Sequence, residues 1–209
     1  MLRSSILFLL VLTLPHPGAT KAPHASAGDS GRSTYDGPGY TTDGQLKFPE
    51  KYREWVFLSS GMDMSYNPAA NAANHSTFDN VFVNPAAYQA FMETGKWPDR
   101  TTLVLEIRGA ESNQSINKRG RTQSPELAGL EVHVKDKSLA GGWGFFEFDK
   151  GVSAKRIEQS ASCYRCHGQH GAVDTTFVQF YPTLLGVAKT KGTLSAAYLK
   201  ETSTTETDK

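Results

Sequence analysis

Cys163-Tyr164-Arg165-Cys166-His167 sets two thiols three positions apart and puts an imidazole directly after the second. On a helix that spacing brings both sulfurs to one face, a turn apart. There each can form a thioether to a vinyl group of one macrocycle. The histidine then lies beneath the metal with a ring nitrogen available to it. C-x-x-C-H is the attachment pattern of a covalent c-type haem, and its histidine serves as the proximal axial ligand. The residues point to one haem c, covalent through Cys163 and Cys166, with His167 on the iron.

Two other chemistries share part of the pattern. A thioredoxin-like dithiol also uses C-x-x-C, but the βαβ setting is absent and the trailing His167 goes unexplained. A zinc site can recruit Cys163, Cys166, His167 and His170. Four ligands within eight residues surround a tetrahedral ion poorly, and zinc motifs normally draw their second pair from farther along.

The N-terminus independently suggests export. Met1-Leu2-Arg3 carries one positive charge, Ile6 to Leu14 is apolar except for Thr13, and Pro15 and Pro17 follow. This is the layout of a signal peptide over residues 1–27, with a small-x-small site at Ala25-Ser26-Ala27. Cleavage nearer Ala19 and an uncleaved surface anchor are the alternatives. The run is too short for a permanent membrane span, so none is expected after signal removal. The chain has two cysteines, both in the motif, so no disulfide is expected elsewhere. Haem c attachment takes place outside the cytoplasm, and a bacterial periplasm fits that requirement.

Removing residues 1–27 leaves about 180 residues, enough for one domain with a sizeable core. A net charge of +1 gives no field for nucleic acid. Residues 28–47 are rich in Gly, Ser, Thr and Asp and read as a flexible lead; residues 48–190 read as the haem domain and 191–209 as a polar, frayed tail.

The centre reads mainly as strands. Arg53 to Ser60, Phe78 to Val83, Thr101 to Arg108, Leu130 to Lys135 and Trp143 to Phe148 are the candidates. Leu103, Leu105 and Ile107 alternate with Val104, Glu106 and Arg108, and Leu130, Val132 and Val134 with Glu131, His133 and Lys135. Asn84-Pro85 reads as an N-cap and first helical residue, and Gly95 as the end of that helix. Residues 109–128 read as a long polar loop, and Ala154 to Ser162 as a helix or connector. Asp174 reads as the cap of a helix that Pro182 kinks or stops. The class is α+β: a large antiparallel β-sheet with a few helices and a C-terminal helical segment carrying the haem.

Several blocks in order resemble the cytochrome P-460 family, which includes the cytochromes c′-beta. They are Tyr52-Arg53-Glu54-Trp55-Val56, Val81-Phe82-Val83-Asn84-Pro85, Gly95-Lys96-Trp97, Gly129 to Asp136, Trp143-Gly144-Phe145-Phe146, the haem motif, and Phe177-Val178-Gln179-Phe180-Tyr181-Pro182. The likeness spans about residues 50–190. It implies a large antiparallel sheet with helices, a homodimer, and a five-coordinate iron on His167. Enzymatic members oxidise hydroxylamine and carry a lysine cross-link to the porphyrin; c′-beta members lack the link, have a phenylalanine-lined distal side and bind nitric oxide. The cross-linking position falls on Leu105, which has no nucleophilic nitrogen. The resemblance therefore implies a variant without the cross-link.

An open iron position takes its chemistry from its pocket. An apolar wall favours neutral nitric oxide or carbon monoxide. A carboxylate or arginine nearby supports hydroxylamine oxidation or peroxidatic chemistry. Phe57, Phe82, Phe145 and Phe146 are the foremost candidates for the distal wall, with Phe148 beside them. Glu106, Arg108, Glu131, His133 and Glu147 are the polar candidates, and Met62, Met64, Met92, His75, His133 and His170 the possible sixth ligands. A sixth methionine or histidine ligand would make a simple electron-transfer cytochrome with a redox partner protein. The leading expectation is a periplasmic mono-haem cytochrome binding nitric oxide or a related ligand.

Overall fold

The structure, a computed structural model, describes residues 37–66 and 76–207. The expected signal peptide, residues 28–36 of the expected lead, and His75 lie outside the described residues. The chain divides into residues 1–32 and 33–209, and every described residue belongs to the second unit. In chain order the elements are β1 (Leu46–Lys47), β2 (Val56–Met62), β3 (Thr77–Val83), α1 (Pro85–Thr94), β4 (Thr102–Ser112), β5 (Arg121–Lys135), β6 (Trp143–Phe148), β7 (Ser153–Ala154), α2 (Ser162–His170), α3 (Pro182–Lys191) and α4 (Ala196–Thr207).

The α+β class is as expected. Strands β2 to β6 form one antiparallel sheet in sequence order, and β1 pairs with β7 in a second, two-stranded one. Consecutive strands are neighbours, so every connection in the large sheet is local. Pleat alternation gives the large sheet two unlike faces. On the first face Leu58, Val83, Phe91, Trp97, Leu103 and Leu184 form a core closed by α1 and α3. On the second, Leu46, Trp55, Val104, Val132, Phe146 and Phe148 pack under the segment from Tyr40 to Trp55. A bulge in β2 pairs Phe57 with Phe82 but Ser59 with Val81, leaving Leu58 as the extra residue. It buries Leu58 in the first core and brings Ser59 and Gly61 onto the same side.

Several elements differ from expectation for identifiable reasons. Residues 109–128 are mostly strand, because β4 runs to Ser112 and β5 starts at Arg121. This part of the hairpin projects past the core, so it lacks a buried apolar stripe and reads as a loop. Arg108 donates to the carbonyls of Ser124 and Pro125 where the register shifts. The lead is structured by Gly37 at the latest: Leu46 is 1% exposed, and Tyr40 donates to Asp136 at 3.0 Å. Residues 155–161 form an irregular connector. Pro182 starts a helix rather than ending one, taking the first helical position of α3. Asp174 has φ +53° and pairs with Lys135 instead of capping. The tail carries α4, tied to the fold by Ser195, whose N–H and hydroxyl donate to the carbonyls of Ala172 and Gly171. Asn84 precedes α1 as expected, but its side chain accepts from the Thr102 N–H and bridges to β4. Gly95 ends α1 at φ +71°, and a Cβ there would lie 2.7 Å from Lys191 Cβ.

The second face holds a deeply buried carboxylate. Glu106 is 1% exposed and accepts from Tyr52 at 2.5 Å, Arg53 at 2.6 Å, Arg108 at 2.9 Å and Asn80 at 3.2 Å. Burial pushes its pKa up, but the hydrogen bonds from Arg108 and Tyr52 and the charges of Arg108 and Arg53 outweigh this and hold it at about 2. A carboxyl depressed from 4.5 to about 2 adds stability that is complete above its unfolded pKa and is lost as pH falls toward the folded one. Glu106→Gln should therefore lower the unfolding free energy at neutral pH by about 3 kcal/mol, because it removes the carboxylate that offsets the charges of Arg53 and Arg108. The deficit should shrink on acidification to about pH 2, as read by urea titration.

Candidate functional site

The helices do not fill the whole of the first face. Over β3, β4 and β5 they leave a cavity of about 390 Å³, roofed by Phe177, Phe180 and Tyr181. Beside it is a second hollow lined by Cys163, Cys166 and His170. Tyr66, His167 and Phe177 line both. The two thiols are half-buried and free, one turn apart on α2. The arrangement puts sulfur and imidazole donors around adjoining apolar space, as a flat macrocycle bound by its edge and one face requires.

His167 is the most constrained side chain of the site. Its Nδ1 lies 2.7 Å from the Thr175 carbonyl oxygen. A carbonyl only accepts, so Nδ1 carries the proton and Nε2 keeps its lone pair. Burial lowers the His167 pKa, against the opposing effect of the Thr175 hydrogen bond. The ring sits between Phe177, with centroids 4.1 Å apart, and Phe145, 4.6 Å away. A neutral imidazole with a basic Nε2 is the form that ligates a metal.

The loop that supplies the carbonyl is fastened at three successive residues. Lys135 Nζ donates to Asp174 at 2.8 Å and to the Trp97 carbonyl at 2.9 Å. Thr175 Oγ1 meets His133 Nε2 at 3.2 Å. Trp97 Nε1 donates to Thr176 Oγ1 at 2.8 Å. Gly171 lets the chain turn into this loop, since a Cβ there would lie 2.7 Å from the His167 oxygen and 3.0 Å from that of Asp174.

Strand parity sorts the expected distal residues. Phe145 lines the cavity. Phe82 and Phe146 pack on the second face, which is also where Phe148 lies, and Phe57 is 53% exposed against Phe82. They face away because Phe145 and Phe146 are adjacent on a strand, and because Phe57 pairs with Phe82 before the bulge. The middle of the sheet wall is aliphatic instead: Val81, Leu103, Leu105 and Ile107, bordered by Asp79, Glu131 and His133. Leu105 sits between Val81 on β3 and Glu131 on β5, at the middle of the wall. Among the described residues that line the cavity, none is lysine or arginine.

Of the polar candidates, Glu106 and Arg108 belong to the network on the other face. Glu147 is exposed and pairs with Glu131 across β5 and β6. Glu131 and His133 line the cavity, as does Asp79, which sequence reasoning missed. Glu131 is exposed at the cavity rim, and partial desolvation together with the charges of Glu147 and Asp79 raises its pKa. Burial also raises that of Asp79, reinforced by Asp63. Among possible sixth ligands, Met64 lines the cavity and packs against Gly61. His133 lies beside His167 with ring centroids 5.3 Å apart, so it is not opposite it. His170 pairs with Glu201, while Met62 and Met92 are exposed and do not line the cavity. Asp79 was legible from its alternation with Val81, and Phe177, Phe180 and Tyr181 from the block that contains them.

Glu131→Gln should stabilise the protein at neutral pH. A carboxyl whose folded pKa is raised costs stability once it ionises, so removing it helps above its folded pKa and is neutral below the unfolded one. Thermal unfolding at about pH 7 and about pH 4 measures the difference.

No curated protein sequence matches the chain. The chain does match the family Cytochrome P460 over residues 49–178, a stretch that runs from the turn before β2 through the motif helix to the loop holding His167. That covers more than half of the sequence, including the sheet wall of the cavity and the motif helix, and the donor set found there suits the cofactor the family implies. The chain belongs to the cytochrome P460 family and is a haem-binding cytochrome.

Proposed function

We propose that this chain is a periplasmic mono-haem cytochrome, exported by its N-terminal signal, that binds nitric oxide or a related small nitrogenous ligand. Cys163 and Cys166 hold the single haem c by thioethers, and His167 Nε2 is its protein ligand. The observation that carries the reading is the 2.7 Å contact of His167 Nδ1 with the Thr175 carbonyl. It leaves Nε2 as the free basic nitrogen beside a cavity whose sheet wall is aliphatic at its middle. When bound, the haem would supply an iron with one open coordination position. Val81, Leu103, Leu105 and Ile107 give the cavity an apolar stretch that favours an uncharged ligand. Leu105 stands where the resemblance puts the cross-linking lysine, so attachment is through the two cysteines alone. A homodimer and a redox partner protein belong to the same reading and come from the family resemblance.

A second reading is hydroxylamine oxidation of the cytochrome P460 type. Glu131 and Asp79 favour it, because both carboxyls border the cavity and both are shifted toward the protonated form. Such groups can take up protons released from substrate N–H and O–H bonds.

Three measurements separate the readings. The reduced protein should show a five-coordinate, high-spin spectrum that changes on adding nitric oxide; a low-spin spectrum unmoved by the gas would instead favour an electron carrier using Met64. A haem peptide isolated after proteolysis should have the mass of two thioether bonds and no third link, and Cys163→Ala with Cys166→Ala should let haem leave the denatured chain. Turnover of hydroxylamine with an electron acceptor, lowered about 10²-fold or more by Glu131→Gln, would establish the enzymatic reading in place of the first.

A further inference from the structure

Thr175 faces two histidines. Its carbonyl oxygen is 2.7 Å from His167 Nδ1, and its hydroxyl is 3.2 Å from His133 Nε2. His133 is 9% exposed on β5, between Leu103 of β4 and Phe145 of β6. Its ring stacks on Phe145 at 3.9 Å and 16°, and the same Phe145 lies 4.6 Å from His167. Lys135, two residues along the same strand, fixes Asp174. An imidazole this buried is disfavoured unless its polar atoms are used. An apolar side chain would pack against Phe145 and Trp143 without that cost. What the imidazole adds is a fixed partner for the Thr175 hydroxyl.

We propose that His133 is a positioning residue for the iron ligand: through Thr175 it anchors the carbonyl that accepts from His167 Nδ1, and so sets the donor strength of His167 Nε2. The inference rests on the haem reading above. A hydrogen bond accepted from the outer ring nitrogen makes a ligating imidazole more electron-rich. Anchoring the carbonyl keeps that bond short. When the anchor is lost, the carbonyl drifts, Nε2 donates less, and the oxidised metal loses more support than the reduced one.

The test uses the haem-loaded full chain. Thr175→Val removes the hydroxyl at nearly constant size, and His133→Phe keeps an aromatic ring against Phe145. Each is expected to raise the midpoint potential and to lower the iron–histidine stretching frequency of the reduced protein. The double variant should move no further than the single ones, because both break one link. Potentials and stretching bands equal to those of the unaltered protein, whatever happens to stability, overturn the proposal. So does a double variant whose shift is the sum of the two. If His133→Phe does not accumulate folded, Thr175→Val against Thr175→Ser decides alone, with only the valine expected to shift both readouts. Unaltered protein without haem would overturn the haem reading and this one together; loaded but silent variants overturn this one alone.

Discussion

A half-buried N–H to carbonyl hydrogen bond, from His167 to Thr175, is the constraint on which the site turns. Helix α2, which carries the motif, has nine residues and buries none of them. A helix that short is not stable by itself. Its placement comes from its surroundings. The Tyr164 hydroxyl donates to the Ile157 carbonyl and accepts from the Phe145 N–H and from Arg156. Beyond its end, Ser195 holds Gly171 and Ala172. The His167 contact is where this supported helix meets the fastened loop, so the orientation of the imidazole is fixed from both sides. The motif supplies reactive groups, and the sheet supplies their geometry.

The two faces of the sheet give two carboxyls opposite environments. Glu106 on β4 and Glu131 on β5 lie on adjacent strands. Glu106 points to the second face, where two arginines and a tyrosine hold its charge and its pKa falls to about 2. Glu131 points to the cavity, where partial desolvation and negative neighbours raise its pKa. Environments that drive two acids apart in this way separate a structural charge from a group able to exchange protons. Placing Arg108 on the second face also removes a cation from the cavity side.

The strands and their faces were legible because alternation on β4 and β5 is strict where both faces are covered. It failed where the hairpin leaves the core: Arg121 to Gln123 are exposed, so backbone pairing there has no apolar signature. That Cys163, Cys166 and His167 share one short helix was legible from spacing alone. The distal wall was not, because aromatic residues attract attention by type, whereas a pleated strand assigns them by position. Phe145 faces the cavity and Phe146 the other core for no reason beyond parity. Thr175 could not have been found at all. Its backbone oxygen does the work, and a carbonyl leaves no mark in a sequence. The role of Pro182 was misread because proline ends one helix and begins another with equal ease.

Leucine at position 105 bears on more than the cross-link that the resemblance assigns to that position. It lies directly across from Glu131 on the neighbouring strand. An amine at 105 would place a positive charge next to that carboxyl and favour its ionised form. With leucine there, the charges acting on Glu131 are those of Glu147 and Asp79, both negative, and partial desolvation acts in the same direction. Each pushes toward the neutral acid. A neutral carboxyl donates a hydrogen bond, whereas an ionised one accepts a proton. With leucine at 105 the carboxyl beside the wall has no cation next to it on β4, and its pKa lies above the ordinary value rather than below it. Leucine at 105 therefore acts on the site twice: it offers no nucleophilic nitrogen, and it leaves the carboxyl across from it without a cation to lower its pKa.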